Sequence, residues 1–474
     1  MNPWGIERFW DNKWSRTSAV VLFLVAVLLV VLTLDRDDRP LTIAVKRGVE
    51  GVALRHIARN FSQEFHVAVN IIDLPYDDLF EEEERQLSGR RSASVPQFDV
   101  IMVDDPWLYR LATDPDPKKA CPRLENLNDL MLPHEGDFFE STRHASQFRA
   151  STNECSGYLA VPFVANSQLF AYRTADIKEH GLPRTWDDVR SIAKAVEAKH
   201  EIGYVARIGP GNSIVTDFMP ILWAYDSDSF PEYPGQGPPL KHPEAAFATL
   251  KTLVAERKNL GTASFDDFDV SAYLQSGRAS MGVVWTAWAM MLALTDESTA
   301  AARRKVALAD GTGGGDTAQG KLKYLGIPRG PGSTAEPELG VWLLAIPSQS
   351  KHNKLARKFI EFATDMIEES KPNRQAILAA HYGTPPPRQS ALRQLEGEEI
   401  FKGLVPAIED SLKNSRLRPR TACWREIESQ LGTFLEQLTE DRLNESQIAE
   451  HANRQLEPLF TEEGCRSILR PPER

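Results

Sequence analysis

The residue sets that could carry chemistry in this chain each lack a part that the chemistry needs. Gly315-x-x-x-x-Gly320-Lys321 has the spacing of a loop that wraps phosphate, but Leu322 stands where a Ser or Thr hydroxyl would hold magnesium. No Gly-x-Ser-x-Gly elbow presents a nucleophilic serine. The 10 histidines never fall in His-x-x-x-His spacing, and the 4 cysteines contain no Cys-x-x-Cys pair, so the common zinc arrangements are absent. Asp104 and Asp105 are consecutive, and in an extended segment consecutive side chains point to opposite sides, which makes a poor acid/base pair. A binding protein is expected rather than an enzyme, with no cofactor and no metal.

The elements that must position a binding site are legible in the apolar periodicity. Leu41–Val45 reads as a buried strand, Leu54, Ile57, Ala58, Phe61 and Phe65 recur at helical spacing, and Val67–Ile72 and Phe98–Val103 read as further strands. Strands alternating with helices predict a largely parallel sheet with right-handed crossovers, whose ligands gather at the carboxyl ends of strands. Two segments hold that position: Lys46-Arg47-Gly48 and Asp104-Asp105-Pro106-Trp107. Glu81–Arg85 lies on a charged helix face. Thr185 caps a helix that begins with Asp187 and Asp188 in its first turn and continues through Val189, Ile192, Ala193 and Val196. Leu355–Met366 and Ile427–Leu438 are amphipathic helices; the Pro- and Gly-rich stretch 227–243 and Gly311–Gly315 are loops.

At 474 residues the chain is long enough for two α/β lobes. The net charge of −11 argues against nucleic acid as a partner, because that partner needs a basic surface. Residues 17–34 form an uncharged apolar run of about the length that crosses a bilayer core as a helix. The run ends in Leu32-Thr-Leu-Asp-Arg without the small residues of a cleavage site, so an uncleaved signal anchor is favoured over a cleaved signal. Trp4, Trp10 and Trp14 precede it as an interfacial belt. Arg8, Lys13 and Arg16 put residues 1–16 in the cytoplasm and, after a linker at 35–40, the main body in the periplasm or outside the cell. An even cysteine count in an exported chain suggests disulfides; pairing Cys121 with Cys155 and Cys423 with Cys465 closes loops of moderate length, and buried free thiols are the alternative.

A series of phrases in fixed order resembles the extracellular solute-binding proteins of bacterial ABC importers, the carbohydrate-binding, maltose-binding-protein-like group in particular. These are Phe98-Asp-Val-Ile-Met-Val-Asp-Asp-Pro-Trp107, Gly157-Tyr-Leu-Ala-Val-Pro-Phe163 leading into Phe170-Ala-Tyr-Arg173, Gly181-Leu-Pro-Arg-Thr-Trp186, Gly277-Arg-Ala-Ser-Met281, the helix at Ala356–Phe362, and Pro385-Pro-Pro-Arg388. The similarity spans roughly Leu41 to Phe460. It implies a two-lobed, Venus-flytrap α/β fold with three hinge crossovers, 41–163 and 344–385 in the first lobe and 164–343 and 386–474 in the second. It also implies a small-molecule ligand, a sugar or polyol, in the cleft, and the permease subunits of an importer as partners; the bilayer is a further partner through the N-terminal helix. By motif the ligand-facing residues are Arg47, Asp105, Trp107, Asn166, Trp223, Trp285, Trp288, Gly340, Trp342 and Arg388. Each has a plainer role available: Trp107 in edge packing, Asp105 as a helix cap before Pro106, one of Trp285 and Trp288 in the core, Gly340 as a close chain passage, Arg388 paired with a carboxylate, Arg47 in solvent. Trp186 is assigned to packing. Lys46 and Arg47 equally suit an anionic ligand. The apolar run, unusual for this family, leaves room for a membrane-anchored sensor that docks on a receptor; an exported enzyme on the same scaffold is the third possibility.

Overall fold

The computed structural model describes residues 39–90, 96–114, 122–149, 156–209, 211–235, 239–255, 265–295, 322–331, 334–365, 373–461 and 463–465. The expected membrane span at 17–34 and the expected Cys121–Cys155 bridge lie outside these residues. No described helix is long and apolar enough to cross a membrane.

From Leu41 onward the chain is organised around an 8-stranded sheet. The first half begins with β1 (Leu41–Lys46), α1 (Val49–Phe65), β2 (Val69–Leu74), α2 (Tyr76–Leu87) and β3 (Val100–Asp104). β1 lies between β2 and β3, parallel to both. Its residues Leu41–Val45 are fully covered, as a strand buried on both faces requires, whereas β2 is half-buried throughout because it forms the sheet's edge.

β4 (Ala160–Arg173) is the longest strand and is buried along its whole length. It is followed by α3 (Trp186–Val196), β5 (Ile202–Val205), α4 (Asn212–Tyr225), β6 (Ala279–Trp285), β7 (Leu322–Leu325) and β8 (Leu339–Ala345). The strand order is β2-β1-β3-β8-β4-β6-β5, with β7 also on β4. Residues 160–167 of β4 pair with β8, and residues 168–172 pair with β6. One strand therefore belongs to both halves of the sheet.

The expectation of a largely parallel sheet is corrected here. β8 runs antiparallel to β3 and β4, and β4 antiparallel to β6 and β7; only β1–β2, β1–β3 and β5–β6 are parallel. The cause is the connection between halves: the chain leaves along β4 and returns along β8 beside it, so the two must oppose each other. A further passage lies alongside, where the Ala165 N–H donates to the Pro385 carbonyl at 2.9 Å.

Two apolar clusters flank this arrangement. One packs α1 and α5 (Asn353–Ala363) on β1, β3 and β8, with Phe61 edge-on to Phe359 and Phe362. The other gathers Phe170, Trp186, Trp223 and Phe247 with α7 (Trp424–Thr439) and α8 (Glu445–Leu459); α6 (Val405–Asn414) precedes these two helices. Thr185 caps α3 in a reciprocal box: its hydroxyl accepts from the Asp188 N–H at 3.1 Å while Asp188 accepts from the Thr185 N–H at 2.9 Å. Such a cap contributes about 1 kcal/mol. Cys423 and Cys465 form a disulfide that ties the start of α7 to the chain beyond α8.

Candidate functional site

The site lies where the sheet changes from one half to the other. The carboxyl ends of β3, β5 and β6 converge there with the start of β8, the place where open α/β sheets present ligand groups. β3 stops at Asp104, and Asp105 opens a single 3-10 turn through Trp107. Because the strand ends between them, the two carboxylates do not diverge. Both Asp104 Oδ1 (3.1 Å) and Asp105 Oδ1 (3.0 Å) accept from Nη2 of Arg418. The expectation that they point to opposite sides assumed a strand that continued, and it is corrected on that point. Asp105 caps no helix; it accepts instead from the Val341 N–H at 2.9 Å and so fastens β8 to the end of β3.

Arg418 is the centre of the site. It lies between α6 and α7, and the stretch that carries it runs beside the start of β8: Arg416 donates its N–H to the Pro337 carbonyl (2.8 Å), and Leu339 donates to the Arg416 carbonyl (2.9 Å). Its guanidinium is almost wholly buried, with Glu338 Oε1 3.3 Å from Nε and Glu428 Oε1 4.0 Å from Nη1 in addition to the two aspartates. Burial opposes its charge, but Asp104, Asp105 and Glu338 outweigh burial and hold it firmly cationic. The carboxylates feel the opposite strain. Burial pushes Asp105 up to about 6 against the pull of Arg418, with Asp104 adding to the rise. Burial likewise lifts Glu338 well above the usual carboxylate range, and raises Glu428. Glu428 has Asn212 (2.8 Å) and the Trp424 indole N–H (3.2 Å) as donors. Neither oxygen of Glu338 makes a hydrogen bond.

A second guanidinium follows β5. Arg207 donates to Asp217 through Nε at 2.8 Å and to Asp267 through Nη1 at 3.0 Å, and lies 5.1 Å from the Trp285 ring centroid. Trp285, at the end of β6, is half-buried. Its ring rests on Gly340, where a Cβ would come within 3.4 Å of it and 3.7 Å of Arg418. Glycine lets the indole lie close against β8.

Trp107 and Trp342 form an aromatic group with Tyr76 and Phe80, the two indoles 5.8 Å apart and Tyr76 4.6 Å from Trp107. A register shift in β8 falls at Trp342. The Tyr76 hydroxyl donates to Asp104 at 2.8 Å, which joins this group to the Arg418 cluster, and the Lys46 ammonium lies 5.5 Å from the Trp342 ring. Trp107 is fully covered.

Of the residues singled out from sequence, Asp105, Trp107, Trp285, Gly340 and Trp342 are brought together at this junction. Asn166 adjoins it but is engaged in structure: its Oδ1 accepts from the Ala287 N–H at 3.0 Å. Trp223 is fully buried in the second apolar cluster, with the Arg416 guanidinium 4.7 Å from its ring centroid. Trp288 packs on the first cluster. Arg388 is buried as a clamp, paired with Asp137 at 2.7 Å and donating to the carbonyls of Thr364 and Asp365. Arg47 is exposed, 3.4 Å from the Asp73 carbonyl. Sequence reasoning missed Arg418, Glu338, Glu428, Arg207 and Tyr76. The signal available for Glu338 was a charged residue directly before a buried strand.

A cavity of about 10 Å3 beside Asp105 and Arg418 has room for a single water. Among the described residues, no group of three or more His, Cys, Asp or Glu is arranged to hold a metal ion.

The fold is that of a two-lobed periplasmic-binding protein. The maltose-bound MalE3 of T. maritima superposes with a TM-score of 0.68 at 20% identity, covering 89% of this chain and 99% of that one. A ribitol-bound ABC transporter solute-binding protein of Agrobacterium radiobacter K84 superposes at 0.66 and 18%, covering 89% and 100%. The acarbose-binding GacH receptor of Streptomyces glaucescens does so at 0.65 and 15%, covering 89% and 98%.

The chain belongs to the bacterial extracellular solute-binding protein family, whose pattern it matches over residues 50–366. A probable ABC transporter-binding protein of Deinococcus radiodurans is 24% identical over 274 residues, 56% of this chain and 59% of the relative. A probable amino-acid ABC transporter periplasmic-binding protein of Sinorhizobium fredii is 19% identical over 242 residues, 49% of this chain and 53% of the relative. The chain thus spans between half and three-fifths of the length of the curated relatives it matches.

Proposed function

We propose that this protein captures a sugar or polyol between its two lobes and delivers it to the permease of an ABC importer. The observation that carries this reading is the junction itself, where carboxylates, the buried indole of Trp342 and the half-buried indole of Trp285 meet around strand ends from both sheet halves. Aromatic faces stack on sugar C–H surfaces while carboxylates accept from hydroxyls. Maltose, ribitol and, in a solute-binding protein of Thermotoga lettingae of the same fold, tagatose are bound by structural relatives and support the same class of ligand. We assign ligand contact to Asp104, Asp105, Trp285 and Trp342, and take 41–163 with 344–385 as one lobe and 164–343 with 386–474 as the other. Residues 17–34 act in this proposal as an uncleaved anchor, with the lobes outside the cytoplasm. That apolar run also favours a second reading, a tethered sensor that docks on a receptor when its cleft is filled.

The test is a thermal-shift screen of maltose, ribitol, tagatose and amino acids against the full chain. A ligand at a hundred times its Kd stabilises by about 2.7 kcal/mol, a readily measured rise in Tm. Stabilisation by no sugar or polyol would remove the carbohydrate reading. Trp285→Ala should weaken a confirmed ligand about tenfold with Tm nearly unchanged, since one stacked aromatic face is lost; unchanged affinity would remove Trp285 from the site. The anchor is tested by sequencing the amino terminus of the mature protein, where a start near Asp35 or beyond means cleavage.

A further inference from the structure

The charge around Arg418 does not balance. Asp104, Asp105, Glu338 and Glu428 all lie within 4.0 Å of one guanidinium. The neighbouring cations are committed elsewhere: Lys46 to Glu50, Arg425 to Asp77, and Arg207 to Asp217 and Asp267. Glu338 sharpens the imbalance. It is fully buried, its Oε1 is directed at the Arg418 side chain, and neither of its oxygens has a hydrogen-bond donor.

A buried carboxylate that accepts no hydrogen bond is costly, and the molecule retains one, ion-paired with Arg418 at 3.3 Å, at the centre of this junction. Sugar hydroxyls could donate to it but would leave the excess of carboxylates over cations in the cluster unchanged. A metal ion would compensate charge, but the carboxylates are not arranged to hold one. An organic cation does both, since an ammonium has three donors and a positive charge. The aromatic surfaces suit it too, because indole faces attract cations; Trp342 and Trp285 already face Lys46 and Arg207 at 5.5 and 5.1 Å.

We propose that the ligand of this cleft bears an amine: its ammonium enters beside the Arg418 guanidinium and donates to Glu338, Asp104 and Asp105, while its hydroxyls meet the surrounding indoles and carboxylates. The ligand class is an amino sugar or amino polyol. This rests on the solute-binding reading above and narrows its ligand.

Matched pairs differing only in the amine test it on the full chain: glucosamine against glucose, galactosamine against galactose, N-methylglucamine against sorbitol. Binding is measured by calorimetry and by thermal shift at pH 7.5 with chloride held constant. The amine of at least one pair binds at least about tenfold tighter than its neutral partner. Glu338→Gln erases that preference while keeping the native circular-dichroism spectrum; Asp104→Asn serves the same purpose if the first variant does not fold. Neutral members binding as tightly as amines would overturn the inference and leave the solute-binding reading standing. The same holds if maltose, ribitol or tagatose binds and no amine does. A preference that survives in the folded variant also overturns it. No binding by any sugar, polyol or amine overturns both.

Discussion

Glu338 is where burial and charge conflict most directly. Its carboxyl lies wholly out of solvent, and its electrostatic neighbours are Arg418, Glu428, Arg207 and Asp105, two of either sign. Its folded pKa is raised well above the unfolded value, so the folded state holds the proton more tightly than the unfolded chain does. Its contribution to stability is fully present below the unfolded value and is lost as pH rises through the folded one. Asp105, raised to about 6, has the same sign, with its loss falling between about pH 4 and 6. Glu338→Gln keeps the shape without the ionisable proton. It should stabilise the protein by about 1–3 kcal/mol at pH 8 and by little at pH 5, read from melting curves at both values. Destabilisation at pH 8 would mean that the pairing with Arg418 outweighs the cost of burial. The local signal of Glu338, a charge directly before a buried strand, does not say which group it meets. Arg418 and Asp104 are 314 positions apart, and only the completed sheet brings them together.

At the scale of elements, legibility followed from how local the determining interactions are. The capping box of α3 is written within Thr185–Asp188, and Leu41–Val45 announces β1 as a continuous apolar run. The direction of β4 against β8 is not written locally, because it depends on a return passage more than 160 residues later. Trp107 and Trp223 have the residue type of sugar contacts, yet both are fully buried; an indole in a sequence looks the same at a cleft and in a core. α7 shows how one element serves stability and site together. It supplies Glu428 to the carboxylates around Arg418 and Trp424 to the second apolar cluster, and its first turn is held by Cys423–Cys465. With a sequence separation of 42, removing that crosslink costs about 3–4 kcal/mol by the chain-entropy account. The double variant Cys423→Ser, Cys465→Ser should therefore melt several degrees lower and bind its ligand more weakly. Thr185→Ala, costing about 1 kcal/mol in a helix of the second cluster, should lower Tm and leave affinity unchanged. A loss of affinity in Thr185→Ala comparable to the cysteine variant would break this distinction between the two helices.

For the whole molecule, the decisive contact is the one that needs no ligand. Asp104 and Asp105 belong to the half of the sheet built on β1 and β3, and Arg418 follows α6, whose Ser411 hydroxyl donates to the Gln168 carbonyl where β4 turns to its β6 partner. The guanidinium thus fastens the junction from within, and the cavity of about 10 Å3 beside Asp105 and Arg418 has room for a water and not for a solute. Closure of two lobes is an equilibrium, and a ligand shifts it by its differential affinity for the two states. Arg418→Ala removes the cation and leaves two buried aspartates whose charges are relieved by opening to water. Breaking a buried pair in this way is worth about 3 kcal/mol or more, which moves the open-to-closed ratio by roughly a hundredfold. Spin labels at the exposed positions Glu64 on α1 and Lys194 on α3 report the separation in the full chain. The unliganded wild type should give one short, narrow distance distribution, and Arg418→Ala a longer and broader one that a bound ligand shortens again. Identical distributions in the two proteins would mean that closure is set by the packing of Trp107, Trp342 and Trp285, with Arg418 filling a space that the lobes enclose without it.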